Sequence, residues 1–465
     1  MRILCSIKSV PGCPRPATPQ GRIPDRIGGL RTLLSGALLQ GTALLPFQGA
    51  GDRQENRQTP PPPVAFPQFH GRARAVHGPA SGITARLEKR SMKALKWVAS
   101  VALAGTVATG IAHAGQILVG QVAPMTGLEA TQGRAYAVGM ELAFQAINAA
   151  GGVNGNTFAL VRKDDGGRPE DTVAATKQLL AEQKPLVLAG YFGTRNINDL
   201  MASRILEQDK IALVGYRVAE IRPESPLLYS VRATLRDEIN KLTEHLATIG
   251  ITQLGLFYEE NKGAAALLAA ADEAAAKAKA TVVAKAGYAV GSNKADDAVA
   301  TLVKAKPQAI IMVSTGAAAA AFIEGYRSDG GKAQLFAHSG ADVEQLLKRL
   351  SEEQMHGVAI AQVTPSPYKI SNRLTKEFID LVAKTGELEV PVSYSMMEGF
   401  IAGKVIVEAV RRQKGKPSRE GIVAALDAMD SYNLGGYVVG FKPGMHSGSR
   451  FVELSIVTGA GKIRQ

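Results

Sequence analysis

From Gly115 onward, short runs rich in Val, Ile and Leu alternate with longer segments whose apolar residues recur at helical spacing. Apolar strands separated by helices are the sequence form of repeated βα units, which fold as parallel sheets covered on both faces. The first series gives strands at QILVGQVAP, TFALVRKDD, PLVLAG, KIALVG and LLYSVRA, with helices over 133–150, 170–183 and 197–207. A helix over 236–249 opens a second series. Its strands are QLGLFYE, TVVAKAGY, PQAIIMVS, AQLFAHS and HGVAIAQVTP, with helices near 264–279, 295–305, 317–328 and 341–353. After Thr364 come helices near 371–385, 395–413 and 419–429 and closing strands GGYVVGFKP and SRFVELSIVTG. A tail of this length can return to the first lobe and cross back to the second.

The N-terminal stretch has a different character. Residues 1–91 hold twelve of the 23 prolines and both cysteines, Cys5 and Cys13, and show no sustained periodicity, so a disordered upstream extension is expected there. In MKALKWVASVALAGTVATGIAHAG, Lys93 and Lys96 precede an apolar run from Trp97 to Ile111, and Ala112-His113-Ala114 has the small-x-small form of a cleavage site. That is a secretory signal peptide over 92–114, cut after Ala114. The run is shorter than the roughly 20 residues a spanning helix needs. A signal works near a free amino terminus, so translation is expected to start at Met92.

Removing residues 1–114 changes the charge argument. The whole chain carries a formal net charge of +13, but those residues contain 15 Lys+Arg and 4 Asp+Glu, leaving 39 against 37. A nearly neutral domain has no excess with which to neutralise a row of phosphates, so nucleic acid is not an expected partner. No cysteine follows residue 114, which excludes disulfides, thiolate metal sites and a cysteine nucleophile from the mature chain.

Enzyme signatures are also missing. There is no GxGxxG after the first strand, no GxxxxGK[ST] and no GxSxG. The histidines after residue 114 are His245, His338, His356 and His446, and none lies in HExxH. His338, Ser339 and Asp342 are close together in AHSGAD, but on one short loop with no separate strand to orient them. Neither catalysis, a cofactor nor a metal is expected; a Rossmann-like enzyme is the remote alternative.

The ordered series VGQVAPMTG, INAAGGVNG, LVRKDDGGRPEDTVAATKQLL, FGT and YSVRATLRDE continues through GVAIAQVTPSP, SYSMMEGFIAGKVIVEAVRR and SREGIVAALDAMDSYNLGGYVVGFKPGMHSGSRFVEL. From about Gln116 to Gly459 it resembles the periplasmic substrate-binding proteins of ABC transporters in the Leu/Ile/Val-binding class. The resemblance implies a type I periplasmic binding protein: an α/β fold of two Rossmann-like lobes with parallel-sheet cores joined by three crossover strands, closing on a ligand by hinge bending. Carried onto this chain, lobe one is 115–233 plus 364–436 and lobe two is 234–363 plus 437–465. The crossovers fall near 231–234, 362–365 and 435–439. It further implies a periplasmic monomer that delivers a small molecule to an inner-membrane ABC permease; a sensor that signals to a membrane receptor is the alternative.

Ligands of open α/β sheets bind beyond the carboxyl ends of the strands, where helix amino termini begin. That selects PMTGLEATQG, DDGGRPED, YFGTRNIN and GYRVAE in lobe one, and YEENKG, STGAAA and HSGAD in lobe two. In the relatives, the third- and fourth-strand loops hold the ligand carboxylate, which points here to Thr194, Arg195, Asn196, Tyr216, Arg217 and Val218. Relatives place an acid for the ligand's ammonium in the loop matching HSGAD and an aromatic in the loop matching STGAAA, where this chain has Ser339 and Ala317. Without that acid, a buried ammonium is costly to desolvate. Two guanidinium forks, Arg195 and Arg217, instead suit a carboxylate, so an organic acid is favoured over an amino acid or amide. The competing reading of each arginine is a solvated surface position. Tyr258 is a stacking candidate, as are Tyr191 and Tyr216, each equally able to close its own lobe. Asp165 is expected to make a turn rather than line the cleft, and Met396 and Met397 to pack a core.

Overall fold

A computed structural model describes residues 115–464. The expected signal peptide, its cleavage point, the upstream extension, Cys5 and Cys13 lie outside the described residues. The first lobe runs β1 (Gly115–Ala123), α1 (Ala130–Ala149), β2 (Asn156–Asp164), α2 (Pro169–Gln183), β3 (Val187–Phe192), α3 (Thr194–Ala202), α4 (Ile205–Gln208), β4 (Leu213–Arg217) and β5 (Leu228–Tyr229). Its sheet has the order β2-β1-β3-β4-β5 and is parallel throughout.

The second lobe runs α5 (Leu235–Thr248), β6 (Gln253–Glu259), α6 (Ala264–Lys277), β7 (Thr281–Tyr288), α7 (Asp296–Ala305), β8 (Ala309–Val313), α8 (Gly316–Ser328), β9 (Gln334–Ala337), α9 (Val343–Arg349), α10 (Glu352–Met355) and β10 (Ala359–Gln362). The tail adds α11 (Arg373–Thr385), α12 (Tyr394–Arg411), α13 (Arg419–Asp427), β11 (Tyr432–Asn433), β12 (Val438–Val439), β13 (Glu453–Val457) and β14 (Ile463–Arg464). The second sheet has the order β14-β13-β10-β9-β8-β6-β7.

Both cores follow from the alternation. One face of the first sheet packs under α1 and α12 and the other under α2 and α3; in the second sheet α7, α8 and α9 cover one face and α5 and α6 the other. Strands buried on both faces need the near-continuous apolar runs that the sequence shows. Met396 and Met397 are fully buried in the α1/α12 layer.

Four expected elements differ. The helix over 197–207 breaks at Arg204, which takes left-handed backbone with φ 56°. The helix over 341–353 becomes a 3-10 turn, α9 and α10, because Ser351 starts a new helix in a capping box with Gln354. GGYVVGFKP is not one strand: Gly435 and Gly436, at φ 99° and 111°, turn β11 back onto β12 as a short antiparallel hairpin. The closing strand β13 runs antiparallel to β10, with β14 antiparallel beyond it, so the second sheet has a parallel core and an antiparallel edge. The Tyr437 hydroxyl lies 2.8 Å from the Val231 carbonyl and 2.9 Å from the Val363 carbonyl, which brings three distant segments of chain to one point.

Helices α1 and α12 cross through glycines. A Cβ at Gly139 would stand 2.0 Å from the Met396 carbonyl oxygen, and one at Gly399 2.0 Å from that of Tyr136. Backbone on both sides leaves no flexible group to yield. Gly399→Ala should therefore lower stability by about 1–3 kcal/mol, read as a shifted urea midpoint; an unchanged midpoint would contradict the close crossing.

Where α9 meets α12, Glu344 Oε1 accepts from the Tyr368 hydroxyl at 2.6 Å and the Tyr394 N–H at 2.9 Å, while Oε2 has no partner. Burial, reinforced by the Asp342 carboxylate, pushes the Glu344 pKa up from 4.5 to about 8. The folded state thus holds this proton more tightly than the unfolded chain does. Its stabilising contribution is full below about pH 4.5 and is lost as pH rises through about 8. Melting curves from mildly acid to mildly alkaline pH should show wild type losing stability relative to Glu344→Gln as pH rises. Parallel curves would refute the assignment.

Candidate functional site

The carboxyl ends of the two sheets face a shared cavity of about 260 Å³. On the first-lobe side β3 ends at Phe192 and the chain turns at Gly193, φ 97°, into α3. Only glycine fits that turn, since a Cβ would lie 2.1 Å from Oδ1 of Asn196. Asn196 is buried and donates to Thr172 Oγ1 at 2.7 Å and to Asp165 Oδ2 at 3.4 Å. Asp165 in turn accepts from the Gly167 N–H, a turn-making bond, and from the Thr172 hydroxyl of α2, and burial raises its pKa. The Thr194 hydroxyl accepts from the Ala219 N–H at 3.0 Å, tying the β3 loop to the β4 loop. These bonds hold the start of α3 rigidly at the cavity wall. No side chain caps that helix, so its first N–H groups remain available.

The two arginines differ sharply. Arg195 lines the cavity, is exposed, and has no hydrogen bond or ion pair among the described residues. Arg217, at the end of β4, is 7% exposed and engaged by protein. Its Nη1 donates to Gln132 Oε1 at 2.7 Å and Ser395 Oγ at 2.6 Å, and its Nη2 to the Ser339 carbonyl at 3.1 Å. Asp342 Oδ2 lies 3.7 Å and Glu398 Oε2 3.6 Å away. A two-arginine clamp therefore reduces to one unengaged guanidinium.

Beneath Arg217 is a buried charge network. Glu398 of α12 stands between Arg217 and Arg232, with Oε2 3.5 Å from the latter. Arg232 also pairs with Glu238 at 3.0 Å and donates to the Ser339 hydroxyl. Glu238 accepts from the Ser339 N–H at 2.7 Å and hydroxyl at 3.0 Å, while Ser395 donates to Asp342 at 2.9 Å. Residues of both lobes thus share one set of ions.

The second-lobe wall carries Tyr288, Ser314, Thr315, Gly316 and His338, with Glu259 among the lining residues. The Gly340 N–H donates to His338 Nδ1 at 3.3 Å, so Nε2 carries the ring proton and donates to the Ser314 carbonyl at 2.9 Å. Burial, partly offset by Glu238, lowers the His338 pKa and keeps the ring neutral. His338 and Ser339 face different partners and do not form a nucleophile–base pair. Both oxygens of Glu259 accept from neighbours, the Gly291 N–H at 3.3 Å and Asn261 at 3.0 Å.

Of the residues selected from sequence, Thr194, Arg195, Asn196, Arg217 and Val218 line this cavity. Tyr216 instead lines a separate cavity of about 210 Å³, which Val218 also borders. Tyr258, Ala317 and Ser339 are not in the wall of the larger cavity; their neighbours Glu259, Gly316 and His338 are. At Ser339 the reason is the network: Glu238 and Arg232 turn its hydroxyl inward. Tyr191 is buried with its hydroxyl 3.1 Å from that of Thr176, closing its own lobe. Tyr288, at the end of β7, supplies an aromatic wall and was missed, although the strand-end rule applies to it too. Arg232, Glu238 and Glu398 had no local signal.

The model of the periplasmic binding protein family matches residues 116–454. A substrate-binding periplasmic protein from Ralstonia solanacearum is 34% identical and superimposes with a TM-score of 0.70, the match covering 75% of this chain and 99% of that one. An amino acid binding protein from Pseudomonas aeruginosa is 31% identical over 97 residues, 21% of this chain. Leu/Ile/Val-binding protein homolog 3 from Brucella melitensis is 38% identical over 88 residues, 19% of this chain. The chain spans about a quarter of these two curated relatives, 26% and 24% of their length. With one family match over most of the chain and a solved relative covered almost end to end, the chain belongs to the periplasmic binding protein family.

Proposed function

We propose that this protein is the ligand receptor of an ABC importer, closing its two lobes on a small carboxylated molecule in the periplasm and presenting the closed form to an inner-membrane permease. The observation that carries the carboxylate is Arg195. Its guanidinium is unengaged at a cavity wall beside the uncapped start of α3, where free N–H groups and the helix dipole favour an anion. On the opposite wall His338 is neutral and Ser339 is turned away, while Glu259, which accepts one bond on each oxygen, is the anionic group that a ligand ammonium would meet. Phe192 and Tyr288 supply apolar surface for the ligand's body. The signal-like segment 92–114, with a cut after Ala114, supports export.

A thermal-shift screen over monocarboxylates, dicarboxylates, amino acids and amides should single out carboxylates lacking an ammonium, because a ligand that binds only the native state raises its Tm. Calorimetry should then show Arg195→Ala weakening the best of them by roughly 10–100-fold, the worth of a charge-assisted hydrogen bond. Binding unchanged by that substitution would end the arginine assignment.

A further inference from the structure

The cavity has a second helix amino terminus. Helix α8 begins at Gly316 on the second-lobe side, and Thr315 and Gly316 line the same space as Thr194 and Arg195 of α3. The Thr315 hydroxyl accepts from the Ala318 N–H, which leaves the N–H groups of Gly316 and Ala317 as the open donors of the first turn. Next to them is Ser314, 1% exposed and part of the cavity lining, whose hydroxyl has no hydrogen-bond partner. Its own carbonyl accepts from His338, so the residue is held in place while its hydroxyl is not used. A buried hydroxyl without a partner is costly, and one at the wall of a binding cavity is satisfied when an acceptor arrives.

We infer that the ligand carries a second acceptor group, a carboxylate or a carbonyl oxygen, that docks on Ser314 and the first turn of α8 while its first carboxylate docks on Arg195 and α3. This rests on the carboxylate reading above and extends it to the other end of the molecule. The ligand class is then an α,ω-dicarboxylate or an oxo acid whose apolar middle lies between Phe192 and Tyr288. Both rings are set by other aromatics, Phe192 edge-on to Tyr136 at 5.6 Å and Tyr288 stacked on Phe257 at 4.9 Å. The open N–H groups of α8 favour an acceptor at that end, while Glu259 on the same wall is the group an ammonium would need instead.

The test uses calorimetry on the exported protein with the dicarboxylates succinate, glutarate, adipate and terephthalate and the oxo monocarboxylate 4-oxopentanoate, each against a monocarboxylate of matching body such as butyrate, valerate or benzoate. The expected result is that at least one dicarboxylate or oxo acid binds at least about tenfold tighter than its monocarboxylate match, and that Ser314→Ala erases most of that ratio while leaving monocarboxylate affinity unchanged. Because the hydroxyl has no internal partner, the variant should melt no lower than wild type, which separates lost recognition from lost folding. Dicarboxylates alone carrying the preference assign a carboxylate at α8; oxo acids alone assign a carbonyl. Equal affinities for matched pairs, a ratio that survives Ser314→Ala, or no binding by any dicarboxylate or oxo acid would overturn the inference, and monocarboxylate binding that still needs Arg195 would leave the carboxylate reading intact. Amino acids as the sole ligands, with binding lost in Glu259→Gln, would overturn both.

Discussion

The carboxylate of Glu398, held between the guanidinium groups of Arg217 and Arg232, is the interaction on which the site depends. Glu398 is paired with both guanidinium groups although its Oε1 accepts no hydrogen bond, and removing one partner of such a buried set typically costs about 3–5 kcal/mol. Here the partners come from different parts of the chain. Arg217 ends a first-sheet strand, Glu398 lies on α12 against that sheet, and Ser339 and Asp342 follow a second-sheet strand. The network therefore fixes the cavity floor and ties one lobe to the other. It also decides which charges are left for a ligand. Arg217 is the better buried arginine and by desolvation alone the stronger anion ligand, yet both its Nη atoms donate to protein and only its buried Nε is without a hydrogen bond. Arg195, which makes no hydrogen bond or ion pair among the described residues, is the arginine whose donors are open at the cavity.

The fold was legible because its cause is local. Each buried strand had to be a short apolar run and each covering helix had to show its own period, so both sheets could be read from Gly115 onward. The departures came where a local choice was overruled by distant chain. The strand GGYVVGFKP became a hairpin because two adjacent glycines accept positive φ, and SRFVELSIVTG ran antiparallel because of the direction from which the tail arrives. In the site, the loops were legible and the roles of their side chains only partly so. Arg195 and Arg217 sit in equivalent strand-end loops with nothing in either loop to separate them. What separates them is Ser395, 178 residues from Arg217, with Glu398 one turn further along the same helix. Tyr288 and Ser314 lie at strand ends like the residues that were selected, so a uniform use of the strand-end rule would have included them.

A cavity placed between two sheets receives helix amino termini from both, and this shapes what it can bind. In a single doubly wound sheet the anion-binding end of one helix commonly faces solvent or one end of a ligand. Here α3 and α8 open onto the same volume from opposite lobes, with aromatic rings of both lobes among the lining. Free N–H groups at both ends repel a cation and favour acceptors, while the apolar walls disfavour a ligand that is polar along its whole length. On the proposed reading, closure then depends on the ligand at both ends at once. A molecule that satisfies only α3 leaves the Ser314 hydroxyl and the α8 donors desolvated without a partner, so the closed form is disfavoured even though the first carboxylate is well held. On the proposed reading, specificity comes from the lobe that binds second, where Ser314 and the first turn of α8 share the wall with the Glu259 carboxylate.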